Sequence, residues 1–479
     1  MWIPFWFAPR RSGRASVRRM SITHRLALGI ATFVGLPCAL AAAPTTVHIA
    51  FEKYTLPNGL TVILHEDHHA PTVTVDAWVR VGSKEEAPGR SGFAHLFEHL
   101  MFMGTDGVPN GEFDSIMEAA GGQNNASTSE DRTNYFETGP ANLLETFLWL
   151  EADRLATLPD AMNKEKVDLQ RDVVKNERRQ SYENRPYGRV ELQLPEHMYP
   201  ATHPYHHTVI GSHEDLTAAS VDDVKNFFRT YYVASNMSLV VSGDFASADA
   251  KKLVEKYLGK LPRKPVPAHQ EPAPIPALTK SESMTMTDAV QLERATLAWH
   301  SPAAMTPGDA ECDLLSGVLG VGKSSRLYEA LVHEKKLAGA VEVEQHSQKQ
   351  GSMFVITATA QPGHTAAELE AAIDVELARL AKSPPSAAEL DRARNLVETM
   401  ILRGLERPLG AAEALNSFEF AYGDPGKVDT ELLGRYDAVT PAALASRATS
   451  VLGAPRFSIH VLPEKATPEK ATAAPKGAR

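Results

Sequence analysis

A proline-rich stretch, RKPVPAHQEPAPIPALTKSE at residues 263–282, divides the chain into two long blocks. Chains rich in proline are stiff and extended, which suits a linker between compact units. At 479 residues the chain is too long for a single hydrophobic core. We therefore predict two domains of similar size, a first half at 46–262 and a second half at 283–464.

The two halves have similar patterns. Alternating strand-like runs open each half, as in LTVILHE and VQLERATLAWHSP, and a helical pattern follows. Further strands come next, and each half closes with helices and one last strand, MSLVVSGDF or RFSIHVL. This repetition predicts an α+β fold of two related halves, each a sheet packed with helices. The low-complexity tail at 465–479 is predicted to be disordered.

The first 41 residues have the pattern of a signal peptide. Six arginines and no acidic residue precede an apolar run that ends in Ala39-Leu40-Ala41, a small-x-small cleavage pattern. We predict cleavage after Ala41 and export to the periplasm, with Met20 as an alternative start and secretion from the cell as an alternative destination.

Cleavage would leave 43 basic against 59 acidic residues, a net charge of −16. That charge argues against binding to nucleic acid or to anionic membrane surfaces. Only Cys312 would remain, so an internal disulfide is impossible.

Residues 317–324, GVLGVGKS, satisfy the phosphate-loop pattern G-x-x-x-x-G-K-[ST]. A phosphate loop requires a buried strand before the glycines and a helix after them. Here the preceding segment, 309–319, has apolar residues at helical spacing. We therefore interpret the match as a corner between two helices and predict no nucleotide site.

The stretch FAHLFEHLMFMGT carries the pattern H-x-x-E-H at His95, Glu98 and His99. Histidines four residues apart project from one face of a helix and can bind one Zn²⁺. Zinc lowers the pKa of water toward about 7, and a neighbouring carboxylate such as Glu98 can then act as general base. Flanking apolar residues predict a buried helix, and polar groups in such a place need a partner such as a metal.

A catalytic zinc site needs a third protein ligand. The helical stretch LQRDVVKNERRQSYENRPYG offers Glu177 and Glu183, with Asp172 nearer its start. The residue pattern alone leaves the choice open.

Several of these segments resemble the pitrilysin family of zinc peptidases, which includes insulin-degrading enzyme and the mitochondrial processing peptidase. The resemblance covers nearly the whole chain after residue 41. It implies two homologous halves that form half of a clamshell chamber, one Zn²⁺ per chain, and Glu177, 78 residues after His99, as the third ligand. A Glu common in the family seven residues before that ligand is Gln170 here.

The resemblance also implies roles for other segments. In the family, the strand that matches QNNAST binds peptide substrates through its backbone, which makes Asn125 and Ala126 the substrate-binding candidates. The histidines of HPYHHTVIG, which are His203, His206 and His207, resemble a structural loop rather than a second metal site.

One family feature is missing from the chain. Active relatives carry an Arg and a Tyr seven residues apart in the second half, and their side chains stabilise the oxyanion. An ungapped match from Leu327 places Val332 and Gly339 there. We therefore expect an exported zinc endopeptidase that acts on peptides as the metal-bearing subunit of a heterodimer. The alternatives are a homodimer that uses another donor such as Arg326 and a non-catalytic peptide-binding scaffold. The sequence does not identify the substrate.

Overall fold

The computed structural model describes residues 46–270 and 275–464. The predicted signal peptide and the predicted disordered tail lie outside the described residues. Within the described part, no helix is both long enough and apolar enough to cross a membrane.

The first half forms a six-stranded sheet in the order β1-β2-β6-β3-β5-β4. Only the pair β2–β6 is parallel. The strands are β1 (Glu52–Thr55), β2 (Thr61–Glu66), β3 (Thr72–Val79), β4 (Gln123–Thr128), β5 (Thr133–Pro140) and β6 (Met237–Gly243). Strand β3 is buried almost throughout because it lies inside the sheet, whereas the polar strand β4 lies at the edge.

The second half forms a five-stranded sheet in the order β7-β11-β8-β10-β9, again with one parallel pair, β7–β11. Its strands are β7 (Glu282–Asp288), β8 (Arg294–Ser301), β9 (Ala338–His346), β10 (Ser352–Ala360) and β11 (Phe457–Pro463). Strands β7 to β11 repeat the connectivity of β2 to β6 strand for strand. The predicted α+β fold with two homologous halves is therefore confirmed, and β1 is an addition to the first half.

Helices cover these sheets. The first half contains α1 (Phe93–Leu100), α2 (Glu112–Ala119), α3 (Leu144–Ala161), α4 (Lys164–Arg178), α5 (Arg189–Met198), α6 (His213–Ala218), α7 (Val221–Tyr231) and α8 (Ser247–Leu258). The second contains α9 (Asp309–Leu319), α10 (Ala366–Lys382), α11 (Ala387–Leu405), α12 (Pro408–Tyr422), α13 (Val428–Glu431), α14 (Gly434–Asp437) and α15 (Pro441–Leu452). Two π-helical segments lie at Arg179–Glu183 and Tyr328–Glu334.

The hydrophobic cores do not divide cleanly at the proline-rich stretch. One core lies wholly in the first half, between its sheet and α1, α3, α7 and α8. The core of the second half, however, also contains Ile63 of β2 and Val240 of β6, both fully buried. Helix α12 packs against β3 and β6, so an element of the second half covers one face of the first sheet.

Helix α9 leads directly into the glycines of the phosphate-loop pattern. Arg392 of α11 donates hydrogen bonds to the carbonyl oxygens of Gly317 and Val321, at 3.0 and 2.8 Å. Because a helix enters the loop where a phosphate loop needs a strand, the interpretation as a helix corner is confirmed.

Candidate metal centre

Helix α1 presents the H-x-x-E-H residues on one face. Its opposite face is buried in the first core through Phe93, Ala94, Leu96, Phe97 and Leu100. The helix begins after Gly92, whose φ of 87° is left-handed, and a side chain there would lie 2.8 Å from the carbonyl oxygen of Ile210. Only glycine fits both conditions, so the start of α1 is fixed by the backbone.

The buried Glu86 carboxylate caps the same end of α1. It accepts hydrogen bonds from the backbone N–H groups of Gly92 and Ala94, at 2.9 and 2.7 Å. Two of the helix-terminal donors that would otherwise lack partners are thereby satisfied. Glu86 thus supports the helix from which His95 and His99 project.

Three ligand atoms converge at the partly buried face of α1 that is opposite the core. His95 Nε2 and His99 Nε2 are 3.3 Å apart, and Glu177 Oε2 lies 3.7 Å from the first and 3.3 Å from the second. Among the residues that the structure describes, this is the only such group of His, Cys, Asp and Glu with ligand atoms within 4.8 Å of one another. The structure therefore brings together the three predicted ligands.

Burial and charge set the protonation of this group. Burial lowers the pKa of His95 to about 4, although the charge of Glu177 opposes the shift, and this favours the neutral imidazole that binds metals. The hydrogen bond with His99 lowers the pKa of Glu177 against the opposing effect of burial, and this favours the ionised carboxylate. Burial lowers the pKa of His99, but the hydrogen bond with Glu177 and the charges of Glu98 and Glu177 outweigh burial and raise it. His99 therefore has to give up its proton to ligate a metal, because histidine ligates as the neutral imidazole.

Glu98 lies beside this group without belonging to it. Its Oε2 accepts a hydrogen bond of 2.5 Å from the hydroxyl of Thr128, at the end of β4. Burial raises the pKa of Glu98 above its ordinary value, although the bond from Thr128 opposes the shift. A buried carboxyl with a raised pKa is suited to accepting and returning a proton.

Helix α4 supplies Glu177. Asn163 caps its N-terminus by accepting the N–H of Lys166 at 3.0 Å, and Val167 and Val174 bury its inner face. Glu183, the alternative ligand, lies in the π-helical segment after α4. There it accepts hydrogen bonds from Arg178 and His213, both at 2.9 Å, and is not part of the converging group.

Gln170 also belongs to this neighbourhood. Its side chain helps to raise the pKa of His99, and its amide nitrogen lies 2.7 Å from Met103 Sδ. Gln170 therefore influences a predicted ligand although it lacks the charge of the family's Glu.

The predicted substrate strand is β4. Within the described residues its only neighbouring strand is β5, with Asn125 opposite Phe136 and Ala126 opposite Tyr135. Its other edge is available for pairing, as β-augmentation requires. Asn125 and Ala126 precede Thr128 by three and two residues on the same strand, and Thr128 is the residue of β4 that bonds Glu98.

The histidines of HPYHHTVIG do not come together as a metal site within the described residues. His203 is buried and stacks on Tyr199, and His206 is hydrogen-bonded to the Tyr199 carbonyl oxygen at 2.8 Å. His207 Nδ1 lies 3.6 Å from a Glu86 oxygen. These contacts agree with the predicted structural loop.

The two positions that match the family's Arg/Tyr pair and the alternative donor Arg326 all lie in the described part of the second half. Val332 lies in the π-helical segment Tyr328–Glu334 and Gly339 in β9. The guanidinium of Arg326 donates to both oxygens of Glu389, at 2.6 and 2.9 Å, and to the carbonyl oxygen of Ser383 at 2.7 Å. Arg326 is thus committed to contacts within its own half.

Sequence reasoning missed three residues around the site: Glu86, Thr128 and Arg132. Each acts through the tertiary contacts of its side chain, and no spacing rule connects it to the H-x-x-E-H helix. For Thr128 and Arg132 the available signal was the concentration of polar residues in QNNASTSEDRTN, which is unusual for two strands of a sheet, whereas Glu86 lies outside that stretch.

The fold and the site together define a zinc-peptidase-like protein of two homologous halves with an inverted H-x-x-E-H motif. The family pattern described as Insulinase (Peptidase family M16) matches residues 61–210, and the pattern described as Peptidase M16 inactive domain matches residues 218–397. The chain belongs to this M16, or pitrilysin-type, peptidase family, as the resemblance predicted.

Individual relatives agree. The chain is 35% identical over 350 residues to the zinc protease PqqE of Helicobacter pylori, covering 72% of this chain and 77% of that protein. It is 26% identical over 400 residues to a probable mitochondrial-processing peptidase subunit beta of Arabidopsis thaliana, covering 80% and 73%. The crystal structure of a protease from Helicobacter pylori superimposes with a TM-score of 0.81 at 29% identity, covering 86% of this chain and 99% of that one.

Proposed function

We propose that the chain is a zinc metalloendopeptidase in which His95, His99 and Glu177 hold one Zn²⁺. The triangle of ligand atoms, with sides of 3.3, 3.3 and 3.7 Å, carries this proposal. Zinc ligands at 2.0–2.1 Å in tetrahedral geometry are roughly 3.4 Å apart. Two imidazole nitrogens and a carboxylate oxygen at that spacing suit a shared cation.

Zinc in this place would supply Lewis-acid polarisation of a peptide carbonyl and a lowered pKa of water. Glu98 accepts the proton of the attacking water and returns it to the leaving amine, for which its raised pKa is favourable. The hydroxyl of Thr128 fixes the orientation of the Glu98 carboxylate during both transfers.

We propose that peptides or unfolded segments bind along the free edge of β4, at Asn125 and Ala126. Backbone hydrogen bonds with a strand edge give affinity with little demand on sequence. The substrate is therefore an extended peptide, enclosed in the chamber that two homologous chains form.

Metal analysis and peptide cleavage test the catalytic proposal. The purified chain, together with any partner that co-purifies, is expected to contain one zinc per chain and to lose peptide cleavage on chelation. Glu98→Gln is expected to retain zinc and to turn over substrate about 10²–10⁴-fold more slowly. Zinc-independent cleavage, or full activity of Glu98→Gln, would contradict the assignment.

A matched pair of variants tests the third ligand. Glu177→Ala is expected to weaken zinc binding strongly. Glu183→Ala removes a carboxylate from the π-helical segment that follows α4 and is expected to retain zinc. If Glu177→Ala binds zinc as tightly as the wild type, Glu177 is not a ligand.

We further propose a heterodimer with a homologous subunit that supplies the Arg/Tyr pair. Val332 and Gly339 cannot donate side-chain hydrogen bonds, and the bonds of Arg326 to Glu389 argue against it as the replacement donor in a homodimer. Loss of one oxyanion donor slows turnover about 10²–10³-fold. The isolated chain should therefore be a poor peptidase. Full activity of the isolated chain would refute the proposed heterodimer.

A non-catalytic peptide-binding scaffold is the second candidate, since one of the two matching family patterns is described as inactive. The complete set of ligands at α1 and α4 favours the peptidase.

We also propose that residues 1–41 direct export to the periplasm and that residues 263–282 link the two domains. Cell fractionation tests the former, and protease cleavage confined to the linker tests the latter.

A further inference from the structure

The partly buried side chain of Arg132 reaches across the end of the first sheet. Arg132 immediately precedes β5, the strand between β3 and the edge strand β4. Its Nη1 donates to the carbonyl oxygen of Ser127 on β4 at 2.8 Å and to the Ser127 hydroxyl at 2.5 Å. On the other side its guanidinium lies over the ring of Trp78 on β3, 4.9 Å from the centroid. One cation thus connects three neighbouring strands.

The register of the sheet explains how one side chain can do this. Ser127, Asn134 and Trp78 are directly paired across β4, β5 and β3, so their side chains share one face. Arg132 precedes Asn134 by two residues and lies on that same face. It donates a third hydrogen bond, of 3.1 Å, to Asn134 Oδ1.

The next residue of β4 is fixed on the opposite face. Thr128 follows Ser127, so its side chain points toward α1, where it bonds Glu98. The end of the free edge strand is therefore held from both faces, by Arg132 on one and by Glu98 on the other. A shift of Ser127 along the strand direction would carry Thr128 with it.

The charge of Arg132 is kept in place by its surroundings. Burial lowers the pKa of the guanidinium, but the carboxylates of Glu413, Asp76, Glu98 and Glu130 oppose that shift. Asn134 in turn donates to Asp76 at 3.1 Å, so the hydrogen-bonded network continues into the buried centre of the sheet. A hydrogen-bonded cation in such a network is fixed in orientation.

We propose that Arg132 is a positioning residue that fixes the free edge strand β4 beside Glu98. This inference rests on the proposed function, since it assumes that β4 binds the peptide. An edge strand has ladder bonds on one side only, so loss of the Arg132 contacts leaves its end free to fray. A frayed strand binds an extended peptide less well. We therefore expect the loss of these contacts to weaken substrate binding more than it slows the chemical step.

Arg132→Gln tests the proposal in the full-length chain assayed together with any partner that co-purifies, with Arg132→Lys as the conservative variant. Removal of charge-assisted hydrogen bonds is expected to raise KM about tenfold or more, with a smaller change in kcat. Amide hydrogen exchange of residues 123–128 is expected to accelerate about tenfold or more. Arg132→Lys, which keeps the charge and can reach one acceptor, is expected to recover part of both effects.

Arg392→Gln is the matched control. Arg392 is also partly buried and donates to main-chain carbonyl oxygens, but in the second half. Its substitution is expected to leave KM and the exchange of 123–128 unchanged. Thr128→Val should show the complementary pattern, a lower kcat with little change in KM.

Three outcomes would overturn the proposal: wild-type KM and exchange in Arg132→Gln, equal effects in Arg392→Gln, or no recovery in Arg132→Lys. The exchange measurement needs no activity. If the wild-type chain, assayed together with any partner that co-purifies, cleaves no peptide, the proposed function fails, while faster exchange confined to 123–128 in Arg132→Gln would still support the anchoring of β4.

Discussion

Asn416 of α12 donates a hydrogen bond of 2.9 Å to the carboxylate of Asp76 on β3. The two residues are 340 positions apart and both are fully buried. A second bond, from Ser238 on β6 to Asn416 Oδ1 at 2.5 Å, completes the contact. This is a buried polar connection between the two halves, and Arg80 and Lys53 of the first half also contact Glu419 of α12.

The Asp76 carboxyl makes stability depend on pH. Burial raises its pKa to about 7, and the nearby Glu413 acts in the same direction. Between the unfolded value near 4 and this folded value, the native state binds more protons, so unfolding free energy falls as pH rises. We expect a loss of at most about 1.4 kcal/mol per pH unit from this group.

Urea unfolding at pH 5 and pH 8 checks this expectation. Asp76→Asn removes the titration, so its stability should decline less between the two values than that of the wild type. Equal declines in both proteins would show that Asp76 does not titrate in this range.

Substitution of Glu86 should loosen the zinc-binding helix. Glu86→Ala leaves the N–H groups of Gly92 and Ala94 without their acceptor, which costs about 1–3 kcal/mol for buried donors. Zinc affinity should fall as well, because α1 carries two ligands. Thermal unfolding and zinc competition with a chelator measure the two effects, and Glu86→Gln, which keeps one acceptor oxygen, should be milder. Unchanged zinc affinity in Glu86→Ala would show that the capping of α1 by Glu86 does not affect zinc binding.

Gln170 provides a test of the groups around the ligands. A carboxylate hydrogen-bonded to a ligating histidine increases the basicity of that ligand, and such partners typically change metal affinity about 10–100-fold. We expect Gln170→Glu to bind zinc more tightly and Gln170→Ala more weakly than the wild type. Identical dissociation constants for the three proteins would exclude a role of Gln170 at His99.

Arg326 should matter for stability and not for turnover. Its two hydrogen bonds to the carboxylate of Glu389 connect the segment before Tyr328–Glu334 to the start of α11. Arg326→Gln should therefore lower the unfolding temperature while leaving the turnover rate of the assembled enzyme unchanged. If turnover instead slows about a hundredfold or more, Arg326 is an oxyanion donor and the homodimer is favoured.

The sequence predicted the features that depend on local spacing. The repeated strand and helix pattern indicated the two related sheets, and the i, i+4 spacing placed His95 and His99 on one face. The helix in front of the phosphate-loop pattern was recognised by the same rule. Glu177 was identified by resemblance, because the spacing within α4 did not distinguish it from Glu183.

Other features depend on tertiary packing. The helix after the phosphate-loop pattern and the helical stretch LQRDVVKNERRQSYENRPYG each contain a π-helical segment. Spacing does not predict these segments, since π-turns arise where packing forces an extra residue into a turn. The contact of Arg132 with Ser127 depends on the register of two strands. The position of α12 on the first sheet depends on surfaces that lie more than 300 residues apart in the chain, as the 340 positions between Asp76 and Asn416 illustrate.

The shared core limits how such chains can be recombined. Ile63 and Val240 of the first sheet are buried among side chains of the second half. A crossover between two relatives within residues 263–282 would place a foreign α12 and its neighbours over these side chains. Only parents whose surfaces match there would yield a folded chimera, although each half repeats the other's topology.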